Sequence, residues 1–537
     1  MSQPPPPPPP NQPPGPPPNQ PPGPQGGGFP PPPPQAPPSQ SPPPGPYGPG
    51  PYGPGPYGQP SYGQPPYGPP PQAPGGSGGS GGGGGQGPNT RVLGIIAAVV
   101  AVVLVAGGIW MFSGDDDNGG GGGGKGGGAV AGGKPAKQLF KLDPPETHVK
   151  DTQIADGSWA TGKIYAKSTI NAVAGHTVTS GKEAWRLPLD GPVCAASPHM
   201  TSAHLTAVAY EKGSGGCNTV AVFDVDTGDK VWSKPIPKGE QIFGGGMTNL
   251  TVAEDTVAIS WNGGYVAYNI KGGPPLWKSK ETGETCEHGR YGGGAKLMTV
   301  LECGEGRALS VNRLDPKTGQ STWDVKLPRE IEGARDVRIV DTDPVVLVLG
   351  TDDSSASEIM TVDDQGKIAA TISLGKRYEP GCGFGGIGSE ACFHVLATDD
   401  QVFIATERRP GSDSAIGETN DVMAFDFHTG KTKWKSSVAD GREIYPIAIE
   451  GDKPVAYLPP TFDKGGEVVS LDPANGKQHG LLKLPDETAK AQDDFLLPSS
   501  GWSPTVLYDR GRLFLQEGLL NGKGDTGGAF VMAFGPR

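Results

Sequence analysis

The chain has 537 residues, a formal net charge of −12, and 89 glycines and 62 prolines that are spread unevenly. The acidic balance argues against a nucleic-acid or anionic-membrane surface, because such partners attract basic proteins. Residues 1–90 contain no Lys, Arg, Asp or Glu. From about residue 137 onward the composition is that of a folded domain, long enough to bury a large core.

Residues 1–90 consist almost entirely of Pro, Gly, Gln, Ser and Tyr. Polyproline favours an extended, solvated helix, and no apolar periodicity is present to build a core. We therefore predict a disordered cytoplasmic tail that acts as a solvated spacer. The alternative is a tail that docks to a cytoplasmic proline-recognition partner or self-associates through its spaced tyrosines.

Residues 92–112, VLGIIAAVVAVVLVAGGIWMF, carry no charge. As a helix they would extend about 31 Å, which matches the roughly 30 Å hydrocarbon core of a bilayer. We predict one transmembrane helix over residues 91–113; a secretory signal would be much shorter than this leader. Arg91 before the span and three aspartates after it place the N-terminus inside. Residues 114–136 then form a Gly-rich flexible linker to an extracytoplasmic domain at 137–537.

A unit of about 46 residues recurs through this domain, and each copy contains a tight turn. An Asp or Asn usually stands four positions before the turn glycine, where it can bond the backbone of the turn, and the glycine can adopt positive φ. Five copies carry a Trp four positions after the glycine, which offers an apolar plate to a neighbouring sheet. The turn glycines are Gly181, Gly228, Gly273, Gly319, Gly366, Gly430 and Gly476, and the tryptophans are Trp185, Trp232, Trp277, Trp323 and Trp434. Ala370 and Gly480 replace Trp in the fifth and seventh copies, so we expect those copies to dock less tightly.

Each copy has room for about four short strands, which is typical of a propeller blade. The pattern Ala-x-Asp-x-x-Thr-Gly-x-x-x-Trp resembles the pyrroloquinoline-quinone-type propeller repeat. We predict an all-β propeller of eight four-stranded blades. The eighth blade would combine residues 139–142 with residues 529–534 and so close the ring through both ends of the domain. Seven blades with a frayed end is the alternative.

All six cysteines follow the predicted span, which agrees with an oxidising compartment. Six cysteines allow many connectivities. Consecutive pairing would put each bond within one blade or its loops, and it predicts the disulfides Cys194–Cys217, Cys286–Cys303 and Cys382–Cys392. Metal binding is the competing interpretation, but no Cys-x-x-Cys and no clustered His are present.

Other candidate sites have structural explanations. The stretch Asp224–Asp229 resembles a calcium loop but coincides with a repeat turn. His199 and His204 lack an acidic partner motif, so we expect packed or surface histidines rather than ligands. The glycine-rich stretches at 244–246 and 292–294 are expected to be bends near the propeller axis rather than phosphate cradles. No catalytic or metal-binding motif is recognised.

The resemblance carries functional expectations of two kinds. Quinoprotein dehydrogenases with this repeat bind a quinone cofactor over the axis beside an adjacent Cys-Cys pair, which this chain lacks. Envelope-assembly scaffold lipoproteins and the exterior sensor domains of some bacterial receptor kinases bind partners instead, and the tail-and-span layout resembles many actinobacterial envelope proteins. We predict a membrane-anchored, extracytoplasmic, non-catalytic module without a cofactor that binds an envelope protein, peptide or glycan. A quinone-dependent oxidoreductase, or another enzyme with a site in the central channel, is the alternative.

The functional surface should lie where the copies of the repeat differ, because the repeated residues are needed to hold the blades together. The insertion at residues 407–420 and the glycine-rich loops are the best candidates. The sequence leaves open the identity of the ligand, the face of the ring that binds it, and the oligomeric state.

Overall fold

The computed structural model describes residues 132–536, apart from 146–152, 156, 215, 238–247, 263, 280–285, 304–307, 328–335, 351–355, 383–389, 391, 412–416, 496–505 and 521–527. The predicted tail, the predicted transmembrane helix and most of the predicted linker lie outside these residues. Within them, no helix is long and apolar enough to cross a membrane.

Strands dominate the described residues and form eight antiparallel four-stranded blades, each built from strands that are mostly consecutive in the chain. Strands β1 (Lys134–Leu142) and β2 (Gln153–Ile154) precede the first blade. Blade 1 contains β3 (Ser158–Ala160), β4 (Ile164–Ser168), β5 (Ala172–Thr177) and β6 (Glu183–Pro188), and blade 2 contains β7 (Val193–Ala196), β8 (Leu205–Tyr210), β9 (Thr219–Asp224) and β10 (Lys230–Pro235). Blade 3 contains β11 (Thr248–Ala253), β12 (Thr256–Trp261), β13 (Gly264–Asn269) and β14 (Pro275–Lys278). Blade 4 contains β15 (Cys286–Gly292), β16 (Leu297–Cys303), β17 (Ala308–Leu314) and β18 (Ser321–Lys326).

The second half of the ring is less regular, because blades 5 to 8 are interrupted by an added hairpin, a short helix and a small extra strand pair. Blade 5 contains β19 (Asp336–Thr342), β20 (Val345–Gly350), β21 (Ala356–Val362) and β22 (Ile368–Ser373), and blade 6 contains β23 (Val395–Thr398), β24 (Gln401–Ala405), β27 (Asp421–Asp426) and β28 (Thr432–Ser437). Blade 7 contains β29 (Tyr445–Glu450), β30 (Lys453–Leu458), β31 (Glu467–Leu471) and β32 (Gln478–Lys483). Blade 8 contains β33 (Val506–Asp509), β34 (Arg512–Gln516), β36 (Val531–Pro536) and β1. The additions are the hairpin β25 (Arg409–Pro410) and β26 (Glu418–Thr419), the helix α1 (Ala489–Asp493), two single 3-10 turns at Gly375–Arg377 and Asp486–Thr488, and β35 (Leu519–Leu520), which pairs with β2.

The repeat turns have the geometry that their residues favour. All seven turn glycines lie at φ between +66° and +102°, a region that glycine enters without steric cost. In the second blade, the Asp224 carboxylate accepts the backbone N–H groups of Asp226 and Thr227 at 2.7 and 3.2 Å. The pattern that recurs in the copies therefore specifies a hairpin. The Asp side chain binds the backbone of the turn, and the Gly adopts the positive φ that the turn requires.

Each repeat tryptophan packs on a glycine in the repeat turn of the next blade, which is the turn glycine itself in four cases and its neighbour Gly272 in the third blade, and the missing side chain makes room for the indole ring. The pairs are Trp185 on Gly228, Trp232 on Gly272, Trp277 on Gly319, Trp323 on Gly366 and Trp434 on Gly476. Three of these indoles also donate their N–H to a backbone carbonyl of the next turn, at 2.8 to 3.0 Å. The tryptophans thus join successive blades by an apolar contact and, in three cases, by a hydrogen bond.

The predicted closure of the ring through both ends of the domain is confirmed. Strand β1 pairs antiparallel with β36, and Phe140 lies opposite Ala533 as Trp434 lies opposite Ala424. The Phe140 ring packs on Gly181 of the first blade. Phe140 therefore takes the place of the repeat tryptophan in the eighth blade. It is buried and joins the last blade to the first.

The two joints without Trp are closed by other means. At the fifth blade, the Ala370 methyl group packs near Gly430, and the Thr361 hydroxyl donates to the Phe427 carbonyl at 2.7 Å. At the seventh, the backbone of Gly133 lies against Gly480, where a side chain would collide. The start of β1 also pairs in parallel with β32, so the sheets of the seventh and eighth blades are continuous. In place of the tryptophan, one joint has a hydroxyl contact and the other has strand pairing. The looser docking expected from the sequence stays a prediction.

Candidate functional site

Two of the predicted disulfides are present in the described residues. Cys194 is bonded to Cys217 in the second blade, and Cys382 is bonded to Cys392 in the connection between the fifth and sixth blades. Cys286 lies opposite Cys303 in the register of β15 and β16. That register is compatible with the third predicted bond, which stays a prediction.

The insertion at residues 407–420 is anchored by a buried asparagine. Its described part forms the hairpin β25–β26. Asn420 is fully buried, donates to the Thr406 carbonyl at 3.4 Å, and accepts the Ile444 N–H at 2.6 Å. One side chain therefore ties the insertion to its own blade and to the connection that leads into the seventh blade.

The base of this insertion brings together a set of charged and aromatic side chains that we call the sixth-blade cluster. Arg408 lies 3.6 Å from the Glu379 carboxylate and 3.1 Å from the Glu418 carboxylate. Tyr445 donates its hydroxyl to Glu443 at 2.9 Å, and its ring lies 4.5 Å from that of His394. The cluster comprises Glu379, His394, Arg408, Glu418, Glu443 and Tyr445, and it takes residues from two blade connections, the insertion and the start of β29.

Burial and mutual repulsion change the acidity of this cluster. Burial raises the pKa of Glu379 and of Glu443, and the Arg408 guanidinium offsets this only in part. Burial lowers the pKa of His394 to about 4, so its imidazole is neutral at pH 7. Glu418 is 54% exposed, so the cluster is open to solvent. Three carboxylates around one guanidinium, beside aromatic rings, can bind a cationic or hydrogen-bond-donating group.

A second polar site lies at the first strands of the second, third and fourth blades, and β11 of the third blade contacts both β7 and β15. The Glu390 carboxylate accepts hydrogen bonds from His199 Nε2 at 2.6 Å, the Gly293 N–H at 2.8 Å and the Thr251 hydroxyl at 3.0 Å. Glu390 itself belongs to the connection between the fifth and sixth blades. It therefore reaches across the ring to residues of three other blades, and we call this arrangement the Glu390 site.

His199 and His204, for which the sequence showed no acidic partner, each have one in the structure. His199 pairs with Glu390, which is 191 residues away in the chain. His204 Nδ1 lies 2.7 Å from Asp226, which also accepts the Thr161 hydroxyl. Only the fold brings these partners together, so no spacing in the sequence could have indicated them. The glycine-rich stretch at 292–294 contributes a backbone donor to the Glu390 site, whereas 244–246 lies outside the described residues.

The calcium-like stretch Asp224–Asp229 forms a repeat turn, and its carboxylates bind groups within the fold. Asp224 binds the turn backbone and Asp226 binds His204 and Thr161. In the part of the chain that the structure describes, no three His, Cys, Asp or Glu side chains are arranged to hold a metal ion.

Comparisons with known proteins agree with this architecture. A family model described as outer membrane protein assembly factor BamB matches residues 138–292 and 307–496, which is more than half of the chain. No curated protein matches the chain.

Among solved structures, BamB from Moraxella catarrhalis is 15% identical with a TM-score of 0.38, covering 72% of this chain and 99% of that one. A eukaryotic initiation factor is 12% identical with a TM-score of 0.40, covering 70% and 83%. The dihydro-heme d1 dehydrogenase NirN in complex with DHE is 14% identical with a TM-score of 0.37, covering 62% and 67%. At such low identity, these likenesses do not bear on function.

Proposed function

The chain belongs to the family of the outer membrane protein assembly factor BamB, and we propose that it is a non-catalytic scaffold or sensor module that binds a protein, peptide or glycan of the cell envelope. The family description names a factor that assists the assembly of other proteins. For this chain, the corresponding role is to hold an envelope partner on one surface of the ring.

The observation that carries this proposal is the sixth-blade cluster. The repeated residues form turns and joints, as Trp434 on Gly476 illustrates. The non-repeating additions of the sixth blade instead place Glu379, Arg408 and Glu418 around a solvent-open surface. Half-buried charges of one predominant sign provide the electrostatic complementarity by which a protein selects a partner. The cluster fits a partner with a basic or donor-rich segment.

The proposed location rests on the sequence and on the disulfides. The apolar residues 92–112 would anchor the chain in the membrane, with the tail inside and the propeller outside. Bonds such as Cys194–Cys217 support an oxidising compartment for the propeller. The uncharged tail would then be the part of the chain accessible to a cytoplasmic partner.

The test is capture of envelope components by the full-length chain, with charge-reversed variants as the comparison. Glu418→Lys reverses an exposed charge of the sixth-blade cluster. Asp324→Lys makes the same change on exposed residue 324 of the outer strand β18 of the fourth blade. We expect Glu418→Lys to lose a captured protein or glycan that the wild type and Asp324→Lys retain. Equal capture by both variants would reject the sixth-blade surface, and no capture by any form would reject the binding module.

A catalytic role is the second candidate, and the raised pKa values of Glu379 and Glu443 are the observation that favours it. A carboxyl that stays protonated closer to neutral pH can act as a general acid. Addition of pyrroloquinoline quinone with calcium tests the quinone-dependent form of this candidate. A saturable rise in the melting temperature, together with a change in quinone absorbance, would support it, and no change in either would reject it.

A further inference from the structure

The Glu390 site has the arrangement of a binding site that is already occupied by a side chain of the same molecule. Three donors from the second, third and fourth blades converge on one carboxylate at 2.6 to 3.0 Å. We propose that this arrangement is a carboxylate-binding site for a partner polypeptide, and that Glu390 occupies it in cis as an internal competitor. The inference is independent of the sixth-blade surface.

The donors are held in place by contacts that do not involve Glu390. The His199 carbonyl accepts the hydroxyls of Ser197 and Thr206 at 2.9 and 2.7 Å, and the His199 N–H donates to Ser197 at 3.1 Å. The Gly293 carbonyl accepts the Thr342 hydroxyl at 2.8 Å. The backbone that carries two of the three donors is therefore fixed in advance, which lowers the entropy lost when a ligand binds.

Two glycines let the backbone after β15 lie close to the other donors of the site. A side chain at Gly293 would collide with the Thr251 side chain and with the Val252 carbonyl. Gly294 has φ of +88°, and a β-carbon there would lie 3.1 Å from the His199 ring. Without side chains at these two positions, the Gly293 N–H can lie beside the Thr251 hydroxyl and the His199 ring.

The charge state of His199 suits a carboxylate ligand. Burial lowers the pKa of His199, but the carboxylates of Glu390 and Asp341 outweigh burial, and the net shift is upward. Asp341 remains nearby when another carboxylate replaces Glu390. The raised pKa favours the protonated form of the His199 imidazole, which joins a hydroxyl and a backbone N–H in the donor set. Hydrogen bonds from a charged donor are the stronger class.

Glu390 is suited to be a competitor because it comes from elsewhere in the ring. It lies inside the segment closed by the Cys382–Cys392 disulfide, before the sixth blade, and its side chain is only 12% exposed. A tethered carboxylate has a high effective concentration at the site. A carboxylate from another molecule can bind only when Glu390 has left the site. Its apparent affinity is therefore the intrinsic affinity multiplied by the fraction of molecules in which the site is free.

The experiment measures binding of small carboxylates to the full-length chain by calorimetry. N-acetylglutamate N-methylamide represents an acidic side chain, N-acetylalanine represents a chain terminus, and N-acetylglutamine N-methylamide is the neutral control. We expect Glu390→Ala to bind at least one carboxylate with an affinity at least about ten-fold above that of the wild type. The carboxylate that binds more tightly identifies the source, and the neutral amide should not bind.

The double variant Glu390→Ala/His199→Ala should lose this gain. Retained binding in the double variant, or no gain in Glu390→Ala, would overturn the proposal. Glu390→Gln keeps the shape of the side chain and removes its charge. It supplies the same comparison if Glu390→Ala does not fold, with a gain above wild type expected and an affinity equal to wild type counting against the site.

Discussion

The joints between blades and the sixth-blade cluster are built from opposite kinds of side chain. At a joint, an aromatic plate such as Trp434 covers a glycine and is almost completely buried. In the cluster, Glu418 and Arg408 form an ion pair and remain partly exposed. The joints remove apolar surface from water, which stabilises the ring. The cluster keeps charge at the surface, where it adds little stability and can select a partner.

In this repeat protein, the recurring residues hold the blades together, and the segments between them form the surface that can bind a partner. A residue that recurs at a fixed offset from each turn reports blade packing. The segments that interrupt the repeat report a surface that differs from blade to blade. Loss of a joint residue should therefore lower the stability of the ring, whereas loss of a charge in the cluster should not.

Deletion of residues 134–142 should have the largest effect. It removes β1, its pairing with β36, and the buried Phe140. We expect a loss of at least about 5 kcal/mol in the free energy of unfolding, since a buried aromatic alone contributes roughly 3–5 kcal/mol. Chemical denaturation measures it. Deletion of the glycine-rich residues 114–131 is the control, and equal stability of the two deletions would contradict closure of the ring by β1.

Trp434→Ala should destabilise the protein by about 3–5 kcal/mol, because it empties the space over Gly476.

A matched pair of variants, Trp434→Phe and Trp185→Phe, isolates the hydrogen bond of this joint. Trp434→Phe loses the bond to the Pro473 carbonyl, about 1 kcal/mol, whereas the indole N–H of Trp185 is buried without a hydrogen-bond partner in the described residues. Trp185→Phe should therefore cost less than Trp434→Phe. The reverse order in thermal unfolding would refute this account of the joint.

Gly480→Ala tests the joint that has no aromatic plate. The added methyl group would meet the backbone of Gly133, and overpacking of this kind costs about 1–3 kcal/mol. Gly289→Ala is the control, because a β-carbon there has no neighbour closer than 3.4 Å. If both variants unfold at the same denaturant concentration, the start of β1 does not close the seventh joint.

Glu443→Gln should have the smallest effect and the opposite sign. Burial raises the pKa of Glu443 in the folded state, so the folded protein binds this proton more tightly than the unfolded chain. The associated stability is present below the unfolded pKa and is lost as the pH rises through the folded pKa. At pH 7 the variant should melt at a slightly higher temperature than the wild type.

The difference in melting temperature should disappear as the pH is lowered through the folded pKa of Glu443 toward pH 4. Glu487→Gln, at an exposed position, is the control and should show no such trend. A lower melting temperature of Glu443→Gln at pH 7 would mean that the cluster contributes stability, against the division described above.

The joints could be predicted from the sequence because each is specified by residues close together in the chain. A glycine at a turn and a tryptophan four positions later identify the hairpin and the packing surface, and residues 139–142 and 529–534 at the two ends of the domain identify the last blade. The contacts that replace tryptophan in the fifth and seventh joints could not be predicted, because Thr361 and Gly133 contact residues that are distant in the chain. The Glu390 site was missed for the same reason, since its four residues come from four separate parts of the chain.

The pairing of β1 with β36 has a consequence for the order of events during synthesis. Strand β1 is made first among the described strands, and its antiparallel partner is made last. The first blade therefore has no Phe140 contact, and β1 has no antiparallel neighbour, until residues 531–536 have left the ribosome. Until then the nascent propeller has open strand edges that can pair with other chains. Closure of the ring is thus a late, long-range step, and a partner that shields these edges during synthesis would raise the yield of closed rings.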